Sequence, residues 1–480
     1  MKTKILSRRN FLAGLVSSTA ALKGQVSKPP NIVFVLTDDQ GYGDIACLGN
    51  PVVKTPNLDR LHGESACFTD YHVSPTCAPT RTALMTGKHE FKSGVTHTIL
   101  ERERMSLKST TFAQVLQSAG YATGIFGKWH LGDAEPYQPN HRGFDEAFIH
   151  GCGGIGQDYP GTCSDAPGNT YFDPAILHNG VFERTRGYCT DVFFSQALKW
   201  IDAKRTASQP FFTYITTNAP HVPLMCPAEY QNIYKGKGLP EETEKYFGMV
   251  TNIDDNVGKL MSRLTDWGLD KNTILVFMTD NGGTGGVRIF NAGMRGAKGT
   301  VYQGGTRVPA FFRWPGKFRP GDRTQLTAHI DLFPTLAELA GAAVPGNLKL
   351  DGKSLVPLLQ DAAAPWIDRV LFTHTGRWPV GEAAGAKYTN CSMRTARYSM
   401  VNAGPAKKWE LYDLPADPGE KIDVAAQHPE VLQRLDREYD RWWTEILPSL
   451  ENEDAAPPAV APYKELYWKQ YGGGPGRLPR

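Results

Sequence analysis

Residues 31–39 read NIVFVLTDD. An unbroken run of β-branched and aromatic residues ends on Thr37 and two aspartates. A strand with one wet face alternates apolar and polar residues. A continuous apolar run fits a strand buried on both faces of a mainly parallel sheet. Three more stretches share this character: YATGIFG (121–127), PFFTYIT (210–216) and TILVFMT (273–279). Helical patterns lie between them, at TFAQVLQSAG (111–120), VFFSQALKWIDAK (192–204) and YFGMVTNIDDNVGKLMSRLTDWG (246–268). Strands alternating with helices predict an α/β fold, a large mostly parallel sheet sandwiched between helices.

Open α/β sheets build their sites just beyond the carboxyl ends of the strands. The four runs end in chemistry-bearing residues. The first reaches Asp38 and Asp39, the second Lys128 and His130, the third Asn218 and His221, the fourth Asp280 and Asn281. One polar residue closing a strand is ordinary; four such endings point to a site along one sheet edge. Asp38, Asp39, Asp280 and Asn281 offer only oxygen donors, which suit Ca²⁺ or Mg²⁺ and not zinc. Without a metal, nearby Lys and Arg would have to offset the clustered carboxylates. The bland alternative is that Asp38 caps a helix and DNGG (280–283) forms a turn.

The chain of 480 residues is long enough for a well-buried core. It starts MKTKILSRRNFLAGLVSSTAALKG, with basic residues ahead of a short apolar stretch, the layout of an export signal and not of a membrane anchor. SRRNFL (7–12) resembles the twin-arginine signal of bacteria, so residues 1–24 are expected to engage the twin-arginine export machinery and deliver the protein to the periplasm or cell exterior. Cleavage would take the formal charge from +3 to −2, because five Lys and Arg and no acidic residue leave with it. A near-neutral mature chain has no overall electrostatic footprint for nucleic acid. No apolar run reaches the roughly 18–20 residues that span a bilayer, so no stable membrane insertion is expected.

Residues 134–190, rich in Gly, Pro, Asp and Asn, read as long loops at the mouth of the site. From about residue 366 the texture changes. VLFTHTG, YSMVNAG and KWELYDL read as antiparallel strands, and PEVLQRLDREYDRWWTEI (429–446) as an amphipathic helix. The expected organisation is a main domain over 28–365, a smaller α+β subdomain over 366–465 and a disordered tail over 466–480. None of the eight cysteines forms a zinc-type C-x-x-C pair. In an exported protein Cys152 and Cys163 are a candidate loop closure.

Cys77 stands in SPTCAPTRTALMTG (74–87). TRTALMTG reads as a helix start, which would put Cys77 on the positive end of the helix and Arg81 one turn along on the same face. The bland reading is a buried cysteine ahead of a helix.

Cys77-Ala78-Pro79-Thr80-Arg81, followed by TALMTGKHEFKSGV, resembles the signature of the type I, formylglycine-dependent sulfatases of the alkaline phosphatase-like superfamily. LTDDQGYGD and TDNGG resemble that family's two metal motifs, and GKWHLG its Lys/His motif. RGAKGTVYQGGTRVP (295–309) resembles its later Lys-bearing segment, and WELYDLPADPGE the start of the last part of its C-terminal subdomain. The pieces occur in the family's order between about residues 30 and 445.

The resemblance implies a sulfuric ester hydrolase. A formylglycine-generating enzyme would oxidise Cys77 to formylglycine before folding. One Ca²⁺ would be held by Asp38, Asp39, Asp280, Asn281 and the modified Cys77. Arg81 would stabilise the aldehyde hydrate and its alkoxide, and Lys128 and Lys298 would hold sulfate oxygens. His130 would act on the second hydroxyl of the hydrate, and His221 would protonate the leaving oxygen with help from Lys298. In the loop after RGFD no residue aligns securely with the family; His150 is a candidate only.

The substrate expected is a sulfated saccharide, with Arg377 and Trp378 of HTGRWPVGEAAGAKY (374–388) as candidate sugar contacts. Two rivals differ in class. A phosphate mono- or diester hydrolase on the same scaffold would usually carry Ser or Thr as nucleophile. A catalytically silent glycan-binding protein would tolerate loss of Asp38 or Lys298.

Overall fold

The computed structural model describes residues 28–159, 161–207 and 209–475. The expected signal segment, 1–24, lies outside them. One large sheet is built from β1 (Asn31–Thr37), β2 (Ala66–His72), β3 (Ala122–Lys128), β4 (Glu146–His150), β5 (Ala175–His178), β6 (Val181–Arg184), β7 (Phe211–Thr216), β8 (Thr273–Thr279), β9 (Arg307–Arg313), β10 (Gly321–Arg323) and β11 (Thr327–Ala328). The order is β10-β2-β9-β8-β1-β7-β3-β4-β5-β6, with β11 beside β2. The central strands β8, β1, β7, β3 and β4 run parallel. At the margins β9, β2, β5 and β6 pair antiparallel.

The four apolar runs are β1, β3, β7 and β8, side by side at the centre. Their unbroken hydrophobicity has a direct cause. Ile32, Phe34 and Leu36 of β1 pack with Leu84, Phe112, Phe333 and Leu336 from helices on one face. Val33 and Val35 pack with Phe193, Ile201, Met249 and Ile253 from helices Cys189–Thr206 and Glu241–Asp266 on the other. Full burial of each such side chain contributes about 1.5–3 kcal/mol. Because the four strands are parallel, their carboxyl ends meet at one edge.

A second sheet, β12 (Leu371–His374), β13 (Cys391–Arg394), β14 (Tyr398–Asn402) and β15 (Glu410–Asp413), is antiparallel in that order. Helix Pro429–Ile446 lays Leu435, Tyr439, Trp442 and Ile446 against Met393, Met400 and Leu411. Among the described residues no helix is long and apolar enough to cross a membrane.

Three readings need correction. Residues 134–190 are not loops throughout, since β4, β5 and β6 lie there. Their runs, such as AFI and AIL, are too short to stand out from the surrounding Gly and Pro. The strand CSMR (391–394) is likewise too short and polar to register. The expected tail over 466–480 begins inside a helix, Pro462–Tyr471, which also crosses the expected subdomain boundary at 465. Its Tyr463 and Tyr467 join the core of the main domain and pack on Phe182. Gln470 exchanges hydrogen bonds of 2.8 and 2.7 Å with the backbone of Phe182, which closes the free edge of β6. The compositional signal for disorder starts only at Gly472; residues 476–480 lie outside those described.

Candidate active site

The carboxyl ends of β1, β3, β7 and β8 bring the expected residues together. Asp38 and Asp39 follow β1, and Asp280 and Asn281 follow β8, paired in register with it. Lys128 is the last residue of β3, His130 comes two residues later, and His221 lies beyond β7. Cys77 is the first residue of helix Cys77–Thr86, with Arg81 one turn on, both buried. Lys298 arrives on the loop before β9.

Gly127 sets the packing at this edge. Its φ is +120°, and a Cβ there would stand 1.9 Å from the carbonyl oxygen of Thr216. The close approach of β3 to β7 lets one guanidinium reach both strands. Arg81 donates to the Lys128 carbonyl at 3.2 Å and to the Thr216 hydroxyl. It also forks onto Asp280 Oδ2, at 2.7 Å from Nη2 and 3.1 Å from Nε. Lys128 Nζ contacts Asp38 Oδ2 at 2.5 Å, with both side chains sealed from solvent.

Asp38 remains undercompensated. Burial, then the charge of Asp280, push its carboxyl well up in spite of Lys128. Its Oδ1 has no hydrogen-bond partner, nor has Asn281 Oδ1. One ligand atom each from Asp38, Cys77 and Asp280 lie within 4.8 Å of one another. Buried oxygens without partners, in a set of carboxylates and one amide, are what a hard cation needs. The residues present therefore fit Ca²⁺.

Asp39 stands at φ +65°, a left-handed conformation uncommon for non-glycine residues but one that Asp tolerates. Its two carboxylate oxygens meet Lys298 Nζ at 2.6 and 2.8 Å, and Asn281 Nδ2 donates to Oδ1 at 2.9 Å. Burial alone would raise it, but Lys298 and His221 outweigh burial and hold it below the carboxylate range. Burial would also raise the Cys77 thiol; Lys128 and Lys298 reverse that and lower it.

The two histidines are set for different work. His130, also at positive φ (+62°), has Nε2 2.8 Å from the Thr98 carbonyl. A carbonyl only accepts, so Nε2 carries the proton and Nδ1, buried without a partner, keeps its lone pair. Burial, with Lys128 beyond it, keeps this ring neutral. His221 donates from Nδ1 to the Val222 carbonyl at 2.6 Å and turns Nε2 towards Asp39 Oδ2 at 3.8 Å. Burial lowers it to about 4 although Asp39 pulls the other way.

His150 was only a candidate from sequence. It ends β4 in register with Lys128, is buried, and has both ring nitrogens without partners. Burial and then the cations Lys128 and Arg81 hold it neutral. The signal that finds it is strand pairing, which a single sequence does not display. Tyr246 was missed outright. From the long helix its hydroxyl lies 2.7 Å from the Asp39 carbonyl and 2.6 Å from Asp44 Oδ2, bridging the two and steadying the Asp38–Asp39 turn. Cys152 and Cys163, the candidate closure, are free thiols with their sulfurs 2.7 Å apart. Trp378 is mostly enclosed and only borders a cavity that it shares with Arg377. It is 5% exposed and packs on Phe91 and Trp443. Arg377 is exposed.

Residues 30–342 match the family described as Sulfatase. The chain belongs to the sulfatase family. Residues 296–442 of this sulfatase also match the family described as N-sulphoglucosamine sulphohydrolase, C-terminal. Human arylsulfatase A is 32% identical over 476 residues, covering 89% of each chain. The rat N-acetylgalactosamine-6-sulfatase is 31% identical over 398 residues, covering 77% of this chain and 72% of the relative. The solved structure of Ps i-CgsB in complex with k-i-k-neocarrahexaose superposes with a TM-score of 0.79 at 28% identity, over 92% of this chain and 97% of that one. The protein is an enzyme that hydrolyses sulfuric esters.

Proposed function

We propose that this sulfatase uses formylglycine made from Cys77, binds one Ca²⁺ through Asp38, Asp39, Asp280 and Asn281 together with the modified Cys77, and acts on a sulfated saccharide outside the cytoplasm. The observation that carries the reading is the convergence of Arg81, Lys128 and Lys298 on Cys77 beside unpartnered oxygens of Asp38 and Asn281. Support for a saccharide comes from the neighbour bound to a carrahexaose and from the amino-sugar sulfatase relative. Support for export and the twin-arginine route comes from the basic, then apolar, N-terminal segment alone.

Bound in this set, Ca²⁺ would supply Lewis-acid stabilisation of the charge that grows on sulfate oxygens. The aldehyde hydrate would supply a nucleophile with a spare hydroxyl, so sulfate can leave without water attacking sulfur. The side chains of the chain do the rest. Lys128, sealed from solvent, and Lys298, at the partly exposed rim, bind sulfate oxygens as preorganised cations. Arg81, fixed by Asp280 and two strand ends, stabilises negative charge at position 77. His130 takes a proton at Nδ1, the atom left free by the Thr98 carbonyl. His221, whose Nδ1–H is held by the Val222 carbonyl, presents Nε2, the atom facing Asp39, as the position that must first take up a proton before passing it to the leaving oxygen.

The test is release of inorganic sulfate from an aryl sulfate by wild type and by Cys77→Ala. The reading expects activity in the first and a fall of at least about 10³-fold in the second. Equal rates would sink it.

A further inference from the structure

We propose that Arg377 and the cavity beside it form a second anion-recognising subsite, so that the preferred substrate carries another acidic group near the sulfate ester that is cleaved. The proposal rests on the sulfatase reading above and adds to it the class of substrate.

Arg377 is held in an unusual way. It sits at φ +63°, directly after Gly376 at φ +63°. At Gly376 a Cβ would come within 1.9 Å of the Thr96 carbonyl oxygen, so the position demands glycine. The Arg377 N–H then donates to that same oxygen at 3.0 Å. A long side chain kept in the left-handed region costs on the order of 1 kcal/mol, and such residues gather at ligand sites. The next residue, Trp378, anchors the strained pair by burying its ring in the subdomain core. A rigid support of this kind fixes the side chain that projects from it.

The guanidinium is placed at the catalytic rim. Nη2 donates to Thr98 Oγ1 at 3.1 Å, and the carbonyl of Thr98 is the partner of His130. On its other side lies a cavity of about 340 Å³ lined by Gly299, Arg377, Glu382, Thr389 and Asn390. Gly299 follows Lys298, whose Nζ reaches Asp39. The cavity thus opens between the segment that orients His130 and the loop that delivers Lys298.

The charge there is unspent. Among the described residues no carboxylate lies within ion-pairing distance of Arg377, which keeps most of its five N–H donors free. His97 beside it is neutral, lowered to about 3 by burial and then by Arg377, Arg102 and His130. A planar fork with free donors matches a sulfate or carboxylate. Glu382 and Asn390 on the cavity wall supply acceptors for sugar hydroxyls.

The experiment uses the purified full-length enzyme and three disaccharides: one with a single sulfate ester, one with a second sulfate on the adjacent sugar, and one with a uronate there. kcat/KM is measured for wild type, Arg377→Ala, Arg377→Gly and Arg377→Lys. Glycine suits the left-handed backbone, so that variant separates charge from folding. Wild type is expected to favour a diacidic substrate at least about ten-fold. That ratio should collapse in the Ala and Gly variants, mainly through KM, and partly return in the Lys variant. Which diacidic sugar is preferred assigns the second group. No preference in wild type, or an unchanged ratio in the Ala and Gly variants, overturns the subsite. Failure of wild type to release sulfate from any ester, aryl sulfate included, would count against the sulfatase reading instead.

Discussion

Asp38 and Asp39 are adjacent in the chain, yet their carboxyls are displaced in opposite directions. Asp38 belongs to the floor of the site, with Lys128, Arg81 and Asp280, all sealed between strand ends. Burial and Asp280 drive it upwards. Asp39 belongs to the rim, with His221 and with Lys298, whose side chain is 19% exposed. There Lys298 and His221 overcome burial and hold the carboxyl down. At the floor burial outweighs Lys128, whereas at the rim Lys298 and His221 outweigh burial. In the proposed reading the cation would sit where the strands converge, beside the unpartnered oxygens of Asp38 and Asn281.

Removing one lysine from each region should separate them most strongly. Lys128→Ala leaves Asp38 buried with no partner. We expect about 10²–10³-fold lower kcat and a loss of about 3–5 kcal/mol of stability by urea unfolding. Lys298→Ala should cost a similar factor in kcat but less stability, about 1–3 kcal/mol, because its side chain is 19% exposed and water can reach the position it vacates beside Asp39. Equal stability losses would erase the distinction between floor and rim.

Chelation probes the floor without mutation. Activity should vanish and return with Ca²⁺, with Mg²⁺ a poor substitute for a site of several carboxylates. At a Ca²⁺ concentration 100 times Kd, binding should add about 2.7 kcal/mol of stability, readable as a rise in Tm. Full activity in metal-free protein would contradict the charge argument.

The pH dependence of stability should report on buried rings away from the proposed metal ligands. Burial lowers His72 and His374 to about 4 and His97 to about 3. The unfolded chain takes up these protons near pH 6.5, whereas the folded chain resists. Stability is thus fully present above about pH 6.5 and is lost as pH falls towards 4, by about 1.4 kcal/mol per pH unit for each such ring. His374→Gln should reduce the slope of unfolding free energy against pH by one such increment. An unchanged slope would show that the ring is protonated in the fold.

The smallest effect concerns how the rim is carried. Arg295, three residues before Lys298, donates to the Tyr412 hydroxyl at 2.7 Å and lies over the Tyr302 ring. Gln303 N–H donates to Glu420 at 2.8 Å. The second sheet and the turn after it therefore brace the Lys298 loop. Tyr412→Phe should cost about 0.5–1.5 kcal/mol and lower kcat a few-fold. No change in either would free the loop from its brace.

The same contrast explains what the sequence discloses. The floor lies at the ends of β1, β3, β7 and β8, whose continuous apolar runs mark both strand and terminus. Asp38, Lys128 and Asp280 were legible for that reason. Lys298 follows no strand, and only its resemblance to a family segment marked it. Arg377 and Trp378 looked alike as candidate contacts. Nothing local says that one faces solvent and the other a core shared by Phe91, His374 and Trp443. His150 depends on the register of β3 with β4, and Tyr246 on helix packing over the sheet. Both are long-range facts that periodicity does not encode.

The central claim is that the thiol of Cys77 is a precursor and not the reagent. The direct test is the mass of the peptide containing Cys77, measured in preparations made with and without a formylglycine-generating enzyme, alongside their rate of aryl sulfate hydrolysis. The account predicts a loss of about 18 Da from that peptide, with activity proportional to the converted fraction and extrapolating to zero where none is converted. Full activity in protein whose Cys77 remains a thiol would contradict it.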